Sequence, residues 1–373
     1  MSNKFIRSLT IENFKSIKRL QNFELHNINI LIGSNGAGKS NFLSFFSFFR
    51  NIVHGELSRY VTKKGRADGI LTFGRKHSES LKFALTFSEL DCFLAQWSFE
   101  LSWTDDNQLY ITGLNIFEND ARSLRLDGGL LDFDFRQIEI SELDNGSVKL
   151  IKETAFKIDK IFQYHFHDVG DSSPIKSDCI IVNNDKLLFD GKNIAPFLRR
   201  LKLDYHDSYH VIIKIIRAVV PDFYDFHFRD DLKSDDLITL LWINKNDRDS
   251  ILHPRMLSDG SLRFICLATV LLQPLELMPE IVIIDEPELG LHPQALALIA
   301  SLVQRLSLQK QFIIATQSSN FIDLFEAHDI VVVNKNLDGS SEFVRLDDDE
   351  LSNWLDEYSL ADLWDMNIIG GRP

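Results

Sequence analysis

Eight consecutive residues, Gly33-Ser34-Asn35-Gly36-Ala37-Gly38-Lys39-Ser40, constrain this chain more than any other feature. They fit G-x-x-x-x-G-K-[ST], a loop whose glycines let successive backbone N–H groups wrap a phosphate. Such a loop must follow a strand and open a helix. Here Asn29-Ile30-Leu31-Ile32 precedes it, and the Phe-rich stretch Asn41 to Arg50 follows with helical character. The positive helix end adds to anion binding. Lys39 is expected to neutralise the β- and γ-phosphates of a nucleotide, and the Ser40 hydroxyl to ligate Mg²⁺. The plain alternative is a glycine-rich turn with a solvated lysine, and the strand–loop–helix context weighs against it.

A second motif lies far along the chain. Ile281-Val282-Ile283-Ile284 ends in Asp285-Glu286, four β-branched residues followed by two acids. A strand buried on both faces reads this way, and ligands bind at the carboxyl ends of parallel strands. Asp285 is expected to hold Mg²⁺ through its water shell, and Glu286 to act as general base on the attacking water. Between the two motifs, Leu257-Ser258-Asp259-Gly260-Ser261-Leu262-Arg263 precedes an apolar helix. Ser258 and Ser261 are both candidate caps, and taken alone the segment is a plain helix start.

The rest of the chain alternates in character. Lys4 to Ile11 and Ile28 to Ile32 read as strands. From Leu81 to Leu150 alternating runs, separated by Asp105-Asp106-Asn107, Asp127-Gly128-Gly129 and Asp144-Asn145-Gly146, predict an antiparallel β region. Ile194 to Leu203 and Tyr209 to Val220 have helical spacing, with Pro221 ending the second. Strand-like and turn segments run on to about residue 256. A helix (Ser261 to Gln273), the strand before Asp285, a helix (Gln294 to Leu306) and a strand (Gln311 to Ala315) follow, which implies a parallel sheet. Composition fits this α/β reading: 45% of residues are hydrophobic and 25% charged, enough to bury a core without disulfides. With 29 Phe against 7 Tyr, that core is expected to be rich in phenylalanine. The net charge of −14 argues against a surface uniformly basic for nucleic acid, while leaving room for a local basic groove. Cys92, Cys179 and Cys266 form no disulfide framework, no apolar run is long enough to span a bilayer, and Met1 to Arg7 opens no signal peptide. A cytoplasmic protein without membrane contact is expected.

The phosphate loop, the Leu257–Ser261 segment, the strand with Asp285-Glu286 and the later Ala315-Thr316-Gln317-Ser318 stand in the order of an ABC-type ATPase head. The chain resembles the SMC/RecF/OLD branch, and within it the compact stand-alone prokaryotic RecF-like ATPases. Leu9-Thr10-Ile11-Glu12-Asn13-Phe14-Lys15-Ser16, Tyr164-His165-Phe166-His167-Asp168, Glu288-Leu289-Gly290-Leu291-His292-Pro293 and the C-terminal Leu363-Trp364 with Gly370-Gly371-Arg372-Pro373 carry the likeness. It implies a single head over 1–373: phosphate loop and β lobe in 1–150, an insert in 151–256 with its helical part near 190–220, and signature, second acid pair and C-terminal segment in 257–373. It implies ATP contact by Gly33, Ser34, Asn35, Gly36, Ala37, Gly38, Lys39, Ser40 and Asn41, with Mg²⁺ on Ser40 and Asp285. Lys39, Glu286 and Gln317 would be catalytic. Ser258, Asp259, Gly260 and Ser261 would cap the nucleotide of a second copy, making a homodimer or higher oligomer. Gln317 stands where many such heads have histidine; it can hydrogen-bond but carries no charge, so slow turnover is expected. The stretch from Lys39 to Ser258 holds no heptad run, which excludes a long coiled-coil arm.

Weaker signals remain. His165 and His167, with Asp168, resemble a two-histidine metal site on one strand face, without a third ligand fixed by sequence; a structural or hydrogen-bonding role is the favoured reading. His292 reads as a loop or dimer contact. Lys63-Lys64-Gly65-Arg66 and Arg199-Arg200 with Lys202 are local basic clusters of the kind usually found on solvated faces. Gln96, Gln108 and Gln137 are candidates for the glutamine that ABC transporters place near the nucleotide, and nothing distinguishes them. Asp347-Asp348-Asp349-Glu350 reads as the acidic start of a helix whose Leu351, Trp354, Leu355 and Tyr358 pack on the head. The expected function is an ATP-hydrolysing dimeric switch that gates a separate effector or senses nucleic acid, in phage defence. A RecF-like repair clamp and a non-hydrolysing ATP-dependent scaffold are the alternatives. The stretch after Gln317 is short for an appended nuclease domain of about 100 residues, so any cleavage is expected to belong to the separate effector.

Overall fold

The computed structural model describes residues 5–89, 92–118, 121–130, 132, 134–137, 145–170, 173–230 and 237–372. In chain order the first elements are β1 (Ile6–Phe14), β2 (Ile17–Glu24), β3 (Ile28–Ile32), α1 (Lys39–Val53), α2 (Leu57–Lys63), β4 (Leu81–Glu89), β5 (Cys92–Trp103), β6 (Leu109–Glu118), β7 (Ala121–Leu130) and α3 (Asn145–Ile158). There follow β8 (Ile161–Tyr164), β9 (Cys179–Ile180), α4 (Ile194–Asp204), α5 (His206–Val219), β10 (Phe223–Asp230), β11 (Leu237–Asn244), β12 (Ile251–Leu252) and α6 (Asp259–Leu272). The last are β13 (Ile281–Asp285), α7 (Pro293–Leu306), β14 (Gln311–Ala315), α8 (Ser319–Ile322), β15 (Ile330–Lys335), β16 (Ser341–Arg345), α9 (Asp348–Leu355) and α10 (Leu360–Asp365).

The chain divides into two compact units. The first comprises 1–162, 280–283 and 307–373, and the second 163–279 and 284–306. In the first unit an antiparallel sheet runs β2-β1-β4-β5-β6-β7, and another sheet runs β16-β15-β3-β14-β13-β8. In the latter, β3 pairs in parallel with both β14 and β15. Helix α1 is apolar on nearly every face because it touches both sheets: it packs on β14 and sends Phe45 and Phe49 against Phe83 and Phe87 of β4 and Phe99 of β5. Phe42, Phe45, Phe46, Phe48 and Phe49 are all buried, so the phenylalanine excess is spent in this core. Gln311, fully buried, joins the two sheets: its amide accepts from Ile6 N and donates to Ile6 O and His26 O.

Three expectations about local structure are corrected here. The β region ends with β7, and Asn145 to Leu150 opens a helix, α3; Ile151, Ala155 and Ile158, spaced by four and three, form its buried face. The Asp127-Gly128-Gly129 segment lies inside β7, where the register against β6 slips between Ile111 and Gly113, a bulge that the glycines permit. The aromatic stripe of the C-terminal helix does not pack. No residue of α9 is buried, and Trp354, Leu355 and Tyr358 are exposed, because the helix is held by polar ties: Asp347 caps it, and Asp348 meets His328 Nδ1 at 2.6 Å. The acidic start itself is as expected. Lys4, Asp144 and Pro373 lie outside the described residues, as does the side chain of Cys92; Cys179 and Cys266 are free thiols.

In the second unit α4 and α5 pack on each other and on a small antiparallel sheet, β10-β11-β12 with β9 against β11. Helix α5 then packs on α6, and α6 on α7. Helix α6 is buried along most of its length, which is why its sequence shows little polar face. Among the described residues no helix is long and apolar enough to cross a membrane.

Candidate nucleotide site

In the first unit the loop leaving β3 has the backbone its glycines predict. Gly36 and Gly38 have φ of 78° and 120°, conformations that disfavour a side chain. A Cβ on Gly38 would lie 2.0 Å from Ser341 Oγ and 2.8 Å from Ser16 Oγ, whereas one on Gly36 would meet nothing within 4 Å. The loop is therefore walled on one side and open on the other, at Asn35, Gly36 and Ser40, which are exposed. Helix α1 starts at Gly38 without a side-chain cap, and the positive end of a helix favours an anion there. Lys39 is buried, and its ammonium donates to the loop carbonyls of Gly33 at 2.5 Å and Ser34 at 3.2 Å. A cation held in this way by a glycine-rich loop at a helix start is what a polyphosphate needs.

The wall was invisible in the local motif. Ser341, at the start of β16, donates its hydroxyl to Ala37 O, and its Oγ lies 2.8 Å from Ser16 Oγ, from which it can accept; Asn41 Nδ2 donates to Ser16 Oγ at 2.8 Å. The β1–β2 turn thus closes on the base of the loop, which gives the Asn13–Ser16 segment a physical task. Its Lys15 donates to Ser44 Oγ at 2.7 Å, and burial, with Lys64 nearby, pulls the ammonium down to about 8. Behind the loop, a Cβ on Gly371 would come within 3.4 Å of Gly33 Cα, so the C-terminal glycines pack on the same turn. Gln317 is exposed just beyond β14, whose neighbour in the sheet is β3.

The second unit carries the other predicted residues. Asp285 ends β13, and Glu286 follows with a φ of 48°, a left-handed conformation that non-glycine residues adopt at a cost of about 1 kcal/mol or more. Ser258 is the N-cap of α6: its Oγ accepts from Ser261 N at 3.1 Å and lies 2.8 Å from Ser261 Oγ. Ser258 and Asp259 are exposed. Gly260 is needed for space, since a Cβ there would lie 2.1 Å from Gly290 O in the Glu288–Pro293 loop. Arg263, not singled out by sequence reasoning, ties three segments together: it donates to Phe166 O at 3.0 Å, His167 O at 2.9 Å and Leu289 O at 2.9 Å. His292 is exposed and accepts from Gln294 N at 3.3 Å within its own turn.

Asp285 also completes a cluster whose third member sequence spacing could not supply. Side-chain ligand atoms of His165, His167 and Asp285 lie within 4.8 Å of one another, while Asp168, the neighbour in sequence, is not part of the group. His167 Nδ1 lies 3.9 Å from Glu286 Oε2. The three glutamines considered for a nucleotide contact are engaged in the first unit, Gln96 with Thr86, Gln108 with Thr62 and Gln137 with Asp134. The strand beside β13 is β8, and the residues leaving it are His165, Phe166 and His167. Some members of the basic clusters are engaged within the fold. Arg66 donates to Asp106 O, Arg200 pairs with Asp185 and Asp204, and Lys202 pairs with Asp225.

Comparison with known proteins fits this geometry. Residues 28–323, well over half the chain, match the sequence profile of the family described as AAA domain, putative AbiEii toxin, Type IV TA system. No curated protein matches the sequence. Among solved structures the chain is similar to an SMC head bound to the C-winged helix domain of ScpA, at TM-score 0.61 and 17% identity, covering 94% of this chain and 100% of that one. It is also similar to the Smc head domain with an extended coiled coil bound to the C-terminal domain of ScpA from Pyrococcus furiosus, at TM-score 0.56 and 16% identity, covering 95% and 99%. The fold is that of an SMC-like, ABC-type P-loop ATPase head.

Proposed function

The chain belongs to the family of AAA domains described as putative AbiEii toxin, Type IV TA system, and from that premise we propose that it binds and hydrolyses ATP as a two-copy switch gating a separate effector. The observation that carries the reading is the loop itself: a buried Lys39 ammonium inside a glycine cradle, open at Gly36, at an uncapped helix start. Backbone N–H groups of Gly33 to Ser40 hold the phosphates, and Lys39 exchanges its loop carbonyls for the β- and γ-oxygens. Ser40 and Asp285 offer the hard oxygen donors that Mg²⁺ prefers, and the bound ion would neutralise phosphate charge. Glu286 takes the proton of the attacking water, and Gln317 orients that water by hydrogen bonding. Removing a positioned base of this kind costs roughly 10²–10⁴ in rate.

Ser258 to Ser261 are read as the cap on the nucleotide of a second copy. What supports this is the exposure of Ser258 and Asp259 at the start of α6. The family description, which names a putative toxin of a toxin–antitoxin system, supports a defence role, and a cytoplasmic setting is part of the proposal. The pairing of Arg200 and Lys202 with nearby acids does not favour a repair clamp. The test mixes two inactive chains. Ser258→Arg spoils the cap and Lys39→Ala spoils the cradle; in a mixed dimer both lesions fall in one composite site and the other is intact. Recovered turnover is expected on mixing, and none in proven mixed dimers would count against shared sites.

A further inference from the structure

We propose that His165, His167 and Asp285 form a binding site for one divalent transition-metal ion of the zinc class. The site stands on a convergence that local sequence cannot produce: two imidazoles leave the end of β8, and the carboxylate ends β13. Their ligand atoms lie within 4.8 Å of one another. A point equidistant from three atoms at that separation is about 2.8 Å from each, and zinc–nitrogen or zinc–oxygen bonds are about 2.0–2.2 Å. Side-chain rotations of under about 1 Å therefore close the site.

The frame around the donors is fixed before any ion arrives. His165 N donates to Phe189 O at 2.8 Å, and Arg263 holds the carbonyls of Phe166 and His167. The two rings lie 6.0 Å apart. His167, Asp285, Glu286 and Arg263 help to line a cavity of about 10 Å³, roughly one water-sized sphere. Arg263 brings a positive charge there, but its guanidinium nitrogens donate to three backbone carbonyls, and Asp285 and Glu286 supply two negative charges against it. Two nitrogens and one carboxylate suit zinc, cobalt or manganese, whereas magnesium demands oxygen. An ion held here engages Asp285 and lies beside Glu286, so its consequence is a brake on any chemistry those acids perform.

The site shares Asp285 with the proposed ATPase but does not depend on it, because metal binding is read without nucleotide. The chelator-treated chain is titrated with Co²⁺ followed by visible absorption, and with Zn²⁺ against a chromogenic chelator. One equivalent is expected, with absorption typical of nitrogen-ligated Co²⁺. His165→Ala and His167→Ala should each weaken binding about tenfold or more. Lys39→Ala should leave it unchanged, which separates this ion from one carried by a nucleotide. His167→Gln, which keeps bulk and hydrogen bonding, guards against loss through misfolding and should also weaken binding. Absence of stoichiometric binding in the folded wild-type chain, or equal affinity in the histidine variants, would overturn the proposal.

Discussion

Replacing Gly260 by alanine sets two physical effects against each other, and the sign of the result decides between them. Gly260 is the second residue of α6, where exchange of glycine for alanine by itself favours the helix by up to about 1 kcal/mol. Against this, the new Cβ would sit 2.1 Å from Gly290 O and 3.1 Å from Gly290 C. The obstacle is backbone, so no side chain can swing away. The Gly290 segment is itself tethered, by Arg263 Nη1 on Leu289 O at 2.9 Å and by Leu291 N on Glu288 O at 3.0 Å. Relief requires a movement of about 1 Å, and forced overpacking costs typically 1–3 kcal/mol. The expected net effect is destabilisation by about 1–2 kcal/mol, or a Tm lower by about 2–8 °C for a unit of this size. Thermal unfolding gives the Tm, and amide hydrogen exchange at 288–292 shows whether the loop has loosened. An alanine variant as stable as the parent, or more so, with unchanged exchange in that loop, would refute the close approach of the two glycines.

Other perturbations test separate parts of the account. Lys15, held near 8 when folded against an ordinary 10.5, is penalised while charged; its drag on stability is full below about pH 8 and is relieved as pH rises from about 8 to 10.5. Lys15→Met should remove that rise from the pH profile of urea midpoints, and an unchanged profile would refute the assignment. Asp347→Ala deletes the cap that accepts from Asp349 N and Glu350 N, at a cost of about 1 kcal/mol to α9. Because α9 buries nothing, the loss should be confined to faster hydrogen exchange in 348–355, with the Tm of the whole chain little moved.

Much of this was legible in the sequence, and what escaped has a common cause. The phosphate loop, β3, β13, β14 and the helices α4 to α7 rest on local signals: turn glycines, β-branched runs, and apolar spacing of three and four. Helix α3 was misread because Asp144-Asn145-Gly146 is a turn signal in composition, although Ile151, Ala155 and Ile158 carry a helical period. The exposure of Trp354 was misread because an amphipathic stripe says that a face exists, not that anything covers it. The remaining gaps are juxtapositions of distant residues. Ser341 and Gly371 wall the loop from the far end of the chain, and Gly260 needs its hydrogen because of Gly290. Asp285, rather than Asp168, joins His165 and His167. Spacing along a chain cannot report what two strands or loops bring together.

The most direct test of the central claim is one turnover measurement on the Glu286→Gln chain, made beside a nucleotide-binding measurement on the same sample. Glu286 sits at a left-handed backbone position after β13, and glutamine keeps its size while removing its basicity. The account predicts ATP binding close to that of the parent, because Lys39 and the glycine cradle are untouched, with hydrolysis lower by roughly 10²–10⁴ and an ATP-bound dimer that persists. Hydrolysis at the parental rate would contradict it.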